Sequence, residues 1–198
     1  MTTTTLKPTV YGVGINDVPG SGARKPNQKA YYHVWCRMLE RSYHHNHYPT
    51  YAGCTVDPRW HYLSNFKQWY EDQGDVTGKQ LDKDIISPNN KVYGPDTCFF
   101  VSRQLNMFFT KSDKIRGKYP IGVCKLHSNR TKPYQVQVRN GEGKLKFIGS
   151  YHTPEEAYEA FIQAKKGELL ERFILPETDQ RLKNALMNVY DNMEEYFK

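Results

Sequence analysis

The chain has 198 residues, 38% of them hydrophobic and 25% charged, with fifteen Tyr, nine Phe and three Trp. That composition belongs to a folded soluble protein of one domain or two small ones and excludes a low-complexity, disordered chain. No stretch approaches the roughly eighteen apolar residues of a membrane span, and the Thr-rich start lacks the basic-then-apolar layout of a secretory leader, so a cytoplasmic protein is expected.

The net charge is +7 and unevenly spread. Residues 1–110 carry a net +3, residues 111–150 a net +8 from ten basic residues against Asp113 and Glu142, and residues 151–198 a net −4. Counterion release rewards positive charge concentrated where phosphates lie, so the middle segment points to a polyanionic partner. Cys36, Cys54, Cys98 and Cys124 are far apart in sequence with no C-x-x-C pair, which predicts buried free thiols rather than a zinc ribbon or finger.

Residues 1–27, rich in Thr, Gly and Pro, have neither a helical nor a strand period and read as a flexible arm. From Gln28 the pattern becomes helical, with Ala30, Val34, Trp35, Met38 and Leu39 on one side and Arg37, Glu40 and Arg41 on others. A loop carrying His44, His45 and His47 follows, then a short strand near Thr55-Val56. A second helix starting at Asp57-Pro58 carries Trp60, Leu63, Phe66, Trp69 and Tyr70. Residues 73–80 are turn-rich, a helix is expected over Ser102–Phe109, and basic residues 111–118 read as a linker.

The next unit spans residues 119–172. Ile121–Cys124 is a short strand, Tyr134–Arg139 alternates with period two, and Lys144–Tyr151 is a third strand after a hairpin connection at Asn140–Gly143. Thr153-Pro154-Glu155-Glu156 is a helix start, with Thr as cap, Pro first and Glu three residues on. The predicted fold class is α+β: an N-terminal, mainly helical unit over residues 28–110, then a three-stranded antiparallel sheet with one packed helix. A C-terminal helix over residues 173–198 carries an apolar stripe of Leu182, Ala185, Leu186, Val189, Met193 and Tyr196. That helix packs on the rest of the chain or on a second copy, so the oligomeric state stays open.

If Val136 and Val138 face the helix, Gln135, Gln137 and Arg139 face outward, where Gln suits adenine and Arg suits guanine in a major groove. Lys125, Arg130, Lys132, Lys144 and Lys146 are expected around that face as phosphate contacts. The order Ile121-Gly122-Val123, Tyr134–Arg139, Phe147-Ile148-Gly149-Ser150-Tyr151 and Thr153–Ala160 resembles the Apetala-type (ethylene-response-factor) DNA-binding domain. The resemblance implies that the sheet enters the major groove of double-stranded DNA, with Gln137 and Arg139 at contacting positions. Cys124 and Leu126 depart from that family's first strand, so its base preference does not transfer. RNA is disfavoured as the partner, because its A-form major groove is too narrow for side chains to read.

Trp35–Tyr43, Pro49–Cys54, Arg59-Trp60 through Asn65-Phe66, Leu81–Ile85 and Asn90–Val101 resemble phage HNH-type homing endonucleases. This resemblance implies a ββα-metal unit that hydrolyses phosphodiesters with Mg²⁺ or Mn²⁺ in a bacterial host. Asp82 and Asn106 then stand as metal ligands. Lys83-Asp84 occupies the general-base position and Thr97 the middle-Asn position, so Asp84 or a histidine of the 44–47 loop, His47 above all, is the candidate base. The alternative is a regulator that kept the scaffold and lost cleavage.

Overall fold

The computed structural model describes residues 8–21, 30–44, 46–85, 89–110, 117–126, 130–139 and 144–197. They divide into two compact units, Met1–Val101 and Ser102–Lys198, and the architecture is α+β, as expected. No helix among the described residues is long and apolar enough to cross a membrane.

The first unit is built on α1 (Ala30–Tyr43), whose buried residues Tyr31, Tyr32, Trp35, Met38, Leu39 and Ser42 recur at helical spacing. Trp35, Met38 and Leu39 have lost all solvent contact, and each such burial contributes about 1.5–3 kcal/mol. The indole N–H of Trp35 donates to the Trp60 carbonyl at 2.7 Å, so its polar atom enters the core satisfied. Trp60 lies in a turn of 3₁₀ helix over Pro58–His61, which Asp57 caps by accepting from the Arg59 N–H. It packs edge-on to Phe66 of α2 (Leu63–Asp72), with ring centroids 5.0 Å apart.

Among the described residues, four short strands complete this unit. β1 (Thr55–Val56) runs parallel to β3 (Val92–Tyr93), and β2 (Gln80–Asp82) runs antiparallel to β4 (Phe99–Val101), with Asp82 opposite Phe99.

The flexible arm expected over residues 1–27 is not what residues 8–21 form; residues 1–7 and 22–29 lie outside the described residues. The Ile15 N–H donates to the His61 carbonyl, and the Leu63 N–H donates back to the Ile15 carbonyl. Asp17 then accepts from both the N–H and the hydroxyl of Ser64 at the start of α2. A Cβ on Gly14 would stand 2.6 Å from a Leu39 methyl, so only glycine allows the segment to lie this close to α1.

The second unit opens with α3 (Arg103–Phe108), capped by the Ser102 hydroxyl accepting from the Leu105 N–H. These residues were expected to end the N-terminal unit. Instead Phe108 packs among Phe173 and Phe197, and its carbonyl accepts from the Lys165 ammonium at 3.3 Å. The linker assigned to residues 111–118 lies largely outside the described residues.

The sheet has the order β5 (Val123–Lys125), β6 (Tyr134–Arg139), β7 (Leu145–Tyr151), all antiparallel. α4 (Pro154–Leu169) covers one face, its Ala157 and Phe161 buried together with Val136 and Val138. The Thr153 hydroxyl accepts from the Glu156 N–H, and the Glu156 carboxylate accepts from the His152 N–H, one residue earlier than in a capping box. Gly122 holds φ +77°, and a Cβ there would fall 2.1 Å from the Phe161 ring.

α4 runs into a π-type turn at Leu170–Ile174, followed by α5 (Gln180–Asp191) and α6 (Met193–Phe197). The single C-terminal helix expected is thus two, parted at Asn192. The predicted stripe survives the break, since Leu182, Leu186, Val189, Met193 and Tyr196 are all buried.

Candidate nucleic-acid interface and metal-binding residues

Residues directly opposite in an antiparallel sheet share a face, so the register assigns each side chain. Val136 and Val138 face α4. The opposite face therefore carries Gln135 beside Cys124 and Ser150, Gln137 beside Phe147, and Arg139 beside Leu145. Gln137 and Arg139 are exposed, and so are Leu145 (59%) and Phe147 (55%), two large apolar side chains standing next to the polar pair. Gln135 is half-buried, and its amide donates to the Ser150 hydroxyl at 3.4 Å.

A β-bulge sets this arrangement. Val136 pairs with Gly149 and Gln137 with Phe147, which leaves Ile148 as the extra residue of β7. Beyond the bulge the alternation changes phase: Phe147 and Leu145 turn outward and Lys146 turns to the α4 side.

Two sequence expectations are corrected here. Lys146, expected beside the outward face, pairs with Val138 and lines a groove with Ile148, Ala164, Glu168 and Glu171. Lys125 pairs with Tyr134 and sets its ammonium 5.5 Å from that ring's centroid, also on the α4 side. Arg130, Lys132 and Lys144 are exposed on the segments leading into β6 and β7.

In the first unit, Asp82 ends β2. Its Oδ1 accepts from the Asp84 N–H at 2.9 Å and the Ile85 N–H at 3.1 Å, closing a tight turn. Burial, followed by the nearby Asp84 carboxylate, raises its pKa above the usual carboxylate value, against the two backbone donors and Lys83. Lys83 is buried; its Nζ meets Asp84 Oδ1 at 2.6 Å and lies 5.7 Å from the Tyr93 ring centroid. The Thr97 hydroxyl donates to the Val92 carbonyl and so serves its own loop. Asn106 belongs to α3 in the second unit.

This neighbourhood does not fit the catalytic ion that the homing-endonuclease resemblance implies. One Asp82 oxygen already accepts from two backbone N–H groups, and the base position holds no histidine but Lys83 and Asp84, which are paired with each other.

A donor set that sequence reasoning named only in part lies elsewhere in the first unit. Glu40, His44 and His47 bring one ligand atom each to within 4.8 Å of one another, close enough for the three to hold a metal ion. His47, expected as a candidate base, is one member. The spacing Glu-x₃-His-x₂-His was readable, because residues four apart share a helix face. That α1 ends where the third ligand can fold back was not.

Arg41, adjacent to Glu40, directs its guanidinium toward the rings of Tyr51 and Tyr93, 5.3 and 5.6 Å from their centroids. No disulfide joins the four cysteines; Cys54 and Cys98 are buried, Cys36 is half-buried and Cys124 exposed. Burial pushes the Cys98 thiol up to about 12, as an inert core thiol requires. No family model, curated protein or solved structure matches this chain.

Proposed function

We propose that this protein binds double-stranded DNA in a sequence-dependent way through the outward face of the β5–β7 sheet, as a regulator-type binder rather than a nuclease. The observation that carries the reading is the composition of that face: Gln137 and Arg139 stand exposed beside Phe147 and Leu145, within the segment that holds the chain's basic excess. Arg139 offers a planar fork for guanine, Gln137 a paired donor and acceptor for adenine, and Phe147 an apolar surface for a thymine methyl. Arg130, Lys132 and Lys144 supply phosphate contacts around it. The resemblance to the Apetala-type domain agrees with this use of the sheet.

Cleavage is not part of the reading, because the position of the general base holds Lys83 and Asp84, paired with each other, in place of a histidine. The test is a mobility-shift selection from a random duplex library across a salt series, with nicking measured on the selected site with and without Mg²⁺ or Mn²⁺. The reading expects a preferred duplex and a log K that falls by about 0.9 per phosphate contact with log salt. Tighter binding to single strands or RNA would reject the duplex assignment. Metal-dependent nicking that Asp82→Asn abolishes would restore the endonuclease.

A further inference from the structure

Two histidines and a glutamate converge in the first unit, far in sequence from the basic sheet. α1 ends at Tyr43, but its hydrogen bonding runs one residue further, the His44 N–H donating to the Glu40 carbonyl at 2.8 Å. That bond stacks the His44 side chain one turn above Glu40 on the same helix face. The chain then turns, and the His47 N–H donates to the His44 carbonyl at 3.2 Å. The two imidazoles come to lie with centroids 4.5 Å apart and planes tilted by 42°. Backbone hydrogen bonds thus fix the spacing of all three ligands.

Charge makes the cluster more than a chance meeting of side chains. Glu40 is half-buried and has no ion-pair partner among the described residues, its neighbour Arg41 being turned to Tyr51 and Tyr93. The end of a helix adds the partial negative charge of unsatisfied carbonyls. A cation held by the three ligands would meet all of this. Tyr11, held at φ +49° in the turn before Gly14, sets its ring 6.0 Å from that of His44, and Tyr48 sets its own 6.4 Å from that of His47.

We propose that Glu40, His44 and His47 form a mononuclear site for a borderline divalent transition-metal ion of the zinc class, with a fourth position open to water. Two imidazoles and one carboxylate suit Zn²⁺, Co²⁺ or Ni²⁺, whereas Mg²⁺ prefers an all-oxygen octahedron. Metal–ligand distances of about 2.0–2.2 Å ask the ligand atoms to close in by roughly 1 Å, within rotamer reach of two exposed histidines. The same exposure leaves the outer side of the ion to solvent. The bound ion ties the end of α1 to the turn that follows and stabilises the first unit by mass action. The proposal does not depend on DNA binding.

The test is titration of the metal-free full-length chain with Co²⁺, read by its visible ligand-field bands, and with Zn²⁺, read by calorimetry. Binding of one ion per chain is expected, with the intense visible absorption of four-coordinate Co²⁺ and a rise in Tm of the first unit. His44→Ala, His47→Ala and Glu40→Gln should each weaken binding by at least about tenfold, while His33→Ala and His152→Ala bind as the unchanged protein does. Circular dichroism checks that each variant is folded, and Glu40→Gln preserves the size of the side chain. Absent binding, or affinity that survives all three ligand substitutions, would overturn the proposal. Loss of DNA binding with the Co²⁺ spectrum intact would reject the proposed function and leave this site standing.

Discussion

The two units solve the same problem, covering a small core, with opposite surfaces. The first packs Trp35, Trp60, Phe66 and Trp69 tightly together and leaves at the end of α1 a compact set of metal-capable side chains. The second covers one side of a sheet with α4 and leaves the other side open, with Phe147 and Leu145 exposed beside Gln137 and Arg139. Exposed large apolar residues on a sheet face, set among polar ones, mark a surface meant to be covered by something else. The comparison teaches what each proposed ligand would require: an ion needs three donors gathered by a helix end and the turn after it, whereas a duplex needs a whole face.

The largest predicted effect separates the units outright. Gly122→Ala forces a Cβ into the Phe161 ring at a positive φ and should destabilise the second unit by about 3–5 kcal/mol. Thermal unfolding should then show the second unit melting early, DNA binding lost and Co²⁺ binding kept. Simultaneous loss of both activities would mean the units do not behave independently.

A smaller effect tests the buried cation of the second unit. Lys165 lies with its Nζ 3.4 Å from the centroid of the Phe108 ring, and burial pulls its pKa down to about 8, against the attraction of Glu168. A lysine whose folded pKa is depressed holds its proton less tightly in the folded state, so stability rises with pH between about 8 and the unfolded value near 10.4. Lys165→Met should therefore stabilise the protein by on the order of 2–3 kcal/mol at pH 7, with the advantage shrinking across that window. An advantage that does not change with pH would show that the gain comes from packing alone.

The smallest effect sharpens the account of Asp82. Asp82→Ala removes the acceptor for two N–H groups and should cost about 1–2 kcal/mol in chemical denaturation. Asp82→Asn keeps that acceptor and deletes a carboxylate whose pKa burial has raised, so it should be neutral or slightly stabilising at pH 7. The sign follows from the linkage: a raised carboxylate pKa favours folding below the unfolded value near 3.9, and that contribution is lost as pH rises through the folded pKa. An Asn variant as damaged as the Ala variant would show that the charge itself is needed there.

Much of the fold was legible from local pattern. The stripe of α1, the alternation in β6 and the Thr153 cap each follow from spacing within a few residues, and each stands in the structure where its spacing put it. What escaped depends on contacts distant in sequence. Residues 8–21 look structureless because their order comes from Ile15 pairing with Tyr62 and from Asp17 capping α2. The Lys146 side chain escaped for a subtler reason. Strict alternation along β7 from Tyr151 would place Phe147 and Leu145 against α4 and Lys146 outside; one bulge residue, Ile148, reverses all three, and nothing in Lys-Leu-Lys-Phe-Ile-Gly announces it. Of the candidate sites, His47 was legible as a polar loop residue of possible chemistry, but its partner Glu40 was hidden as an ordinary helical charge.

That bulge supplies the sharpest test of the central claim, because it puts adjacent basic and apolar residues of one hairpin on opposite faces. The measurement is the affinity of Arg139→Ala, Phe147→Ala and Lys146→Ala for the selected duplex and for single-base variants of it. The account predicts that Arg139→Ala loses about 1–3 kcal/mol and flattens the preference at one base pair. Phe147→Ala should lose a smaller amount, and Lys146→Ala should bind nearly as the unchanged protein does. Equal losses at Lys146 and Arg139, or an unchanged base preference in Arg139→Ala, would contradict the assignment of the outward face as the reading surface.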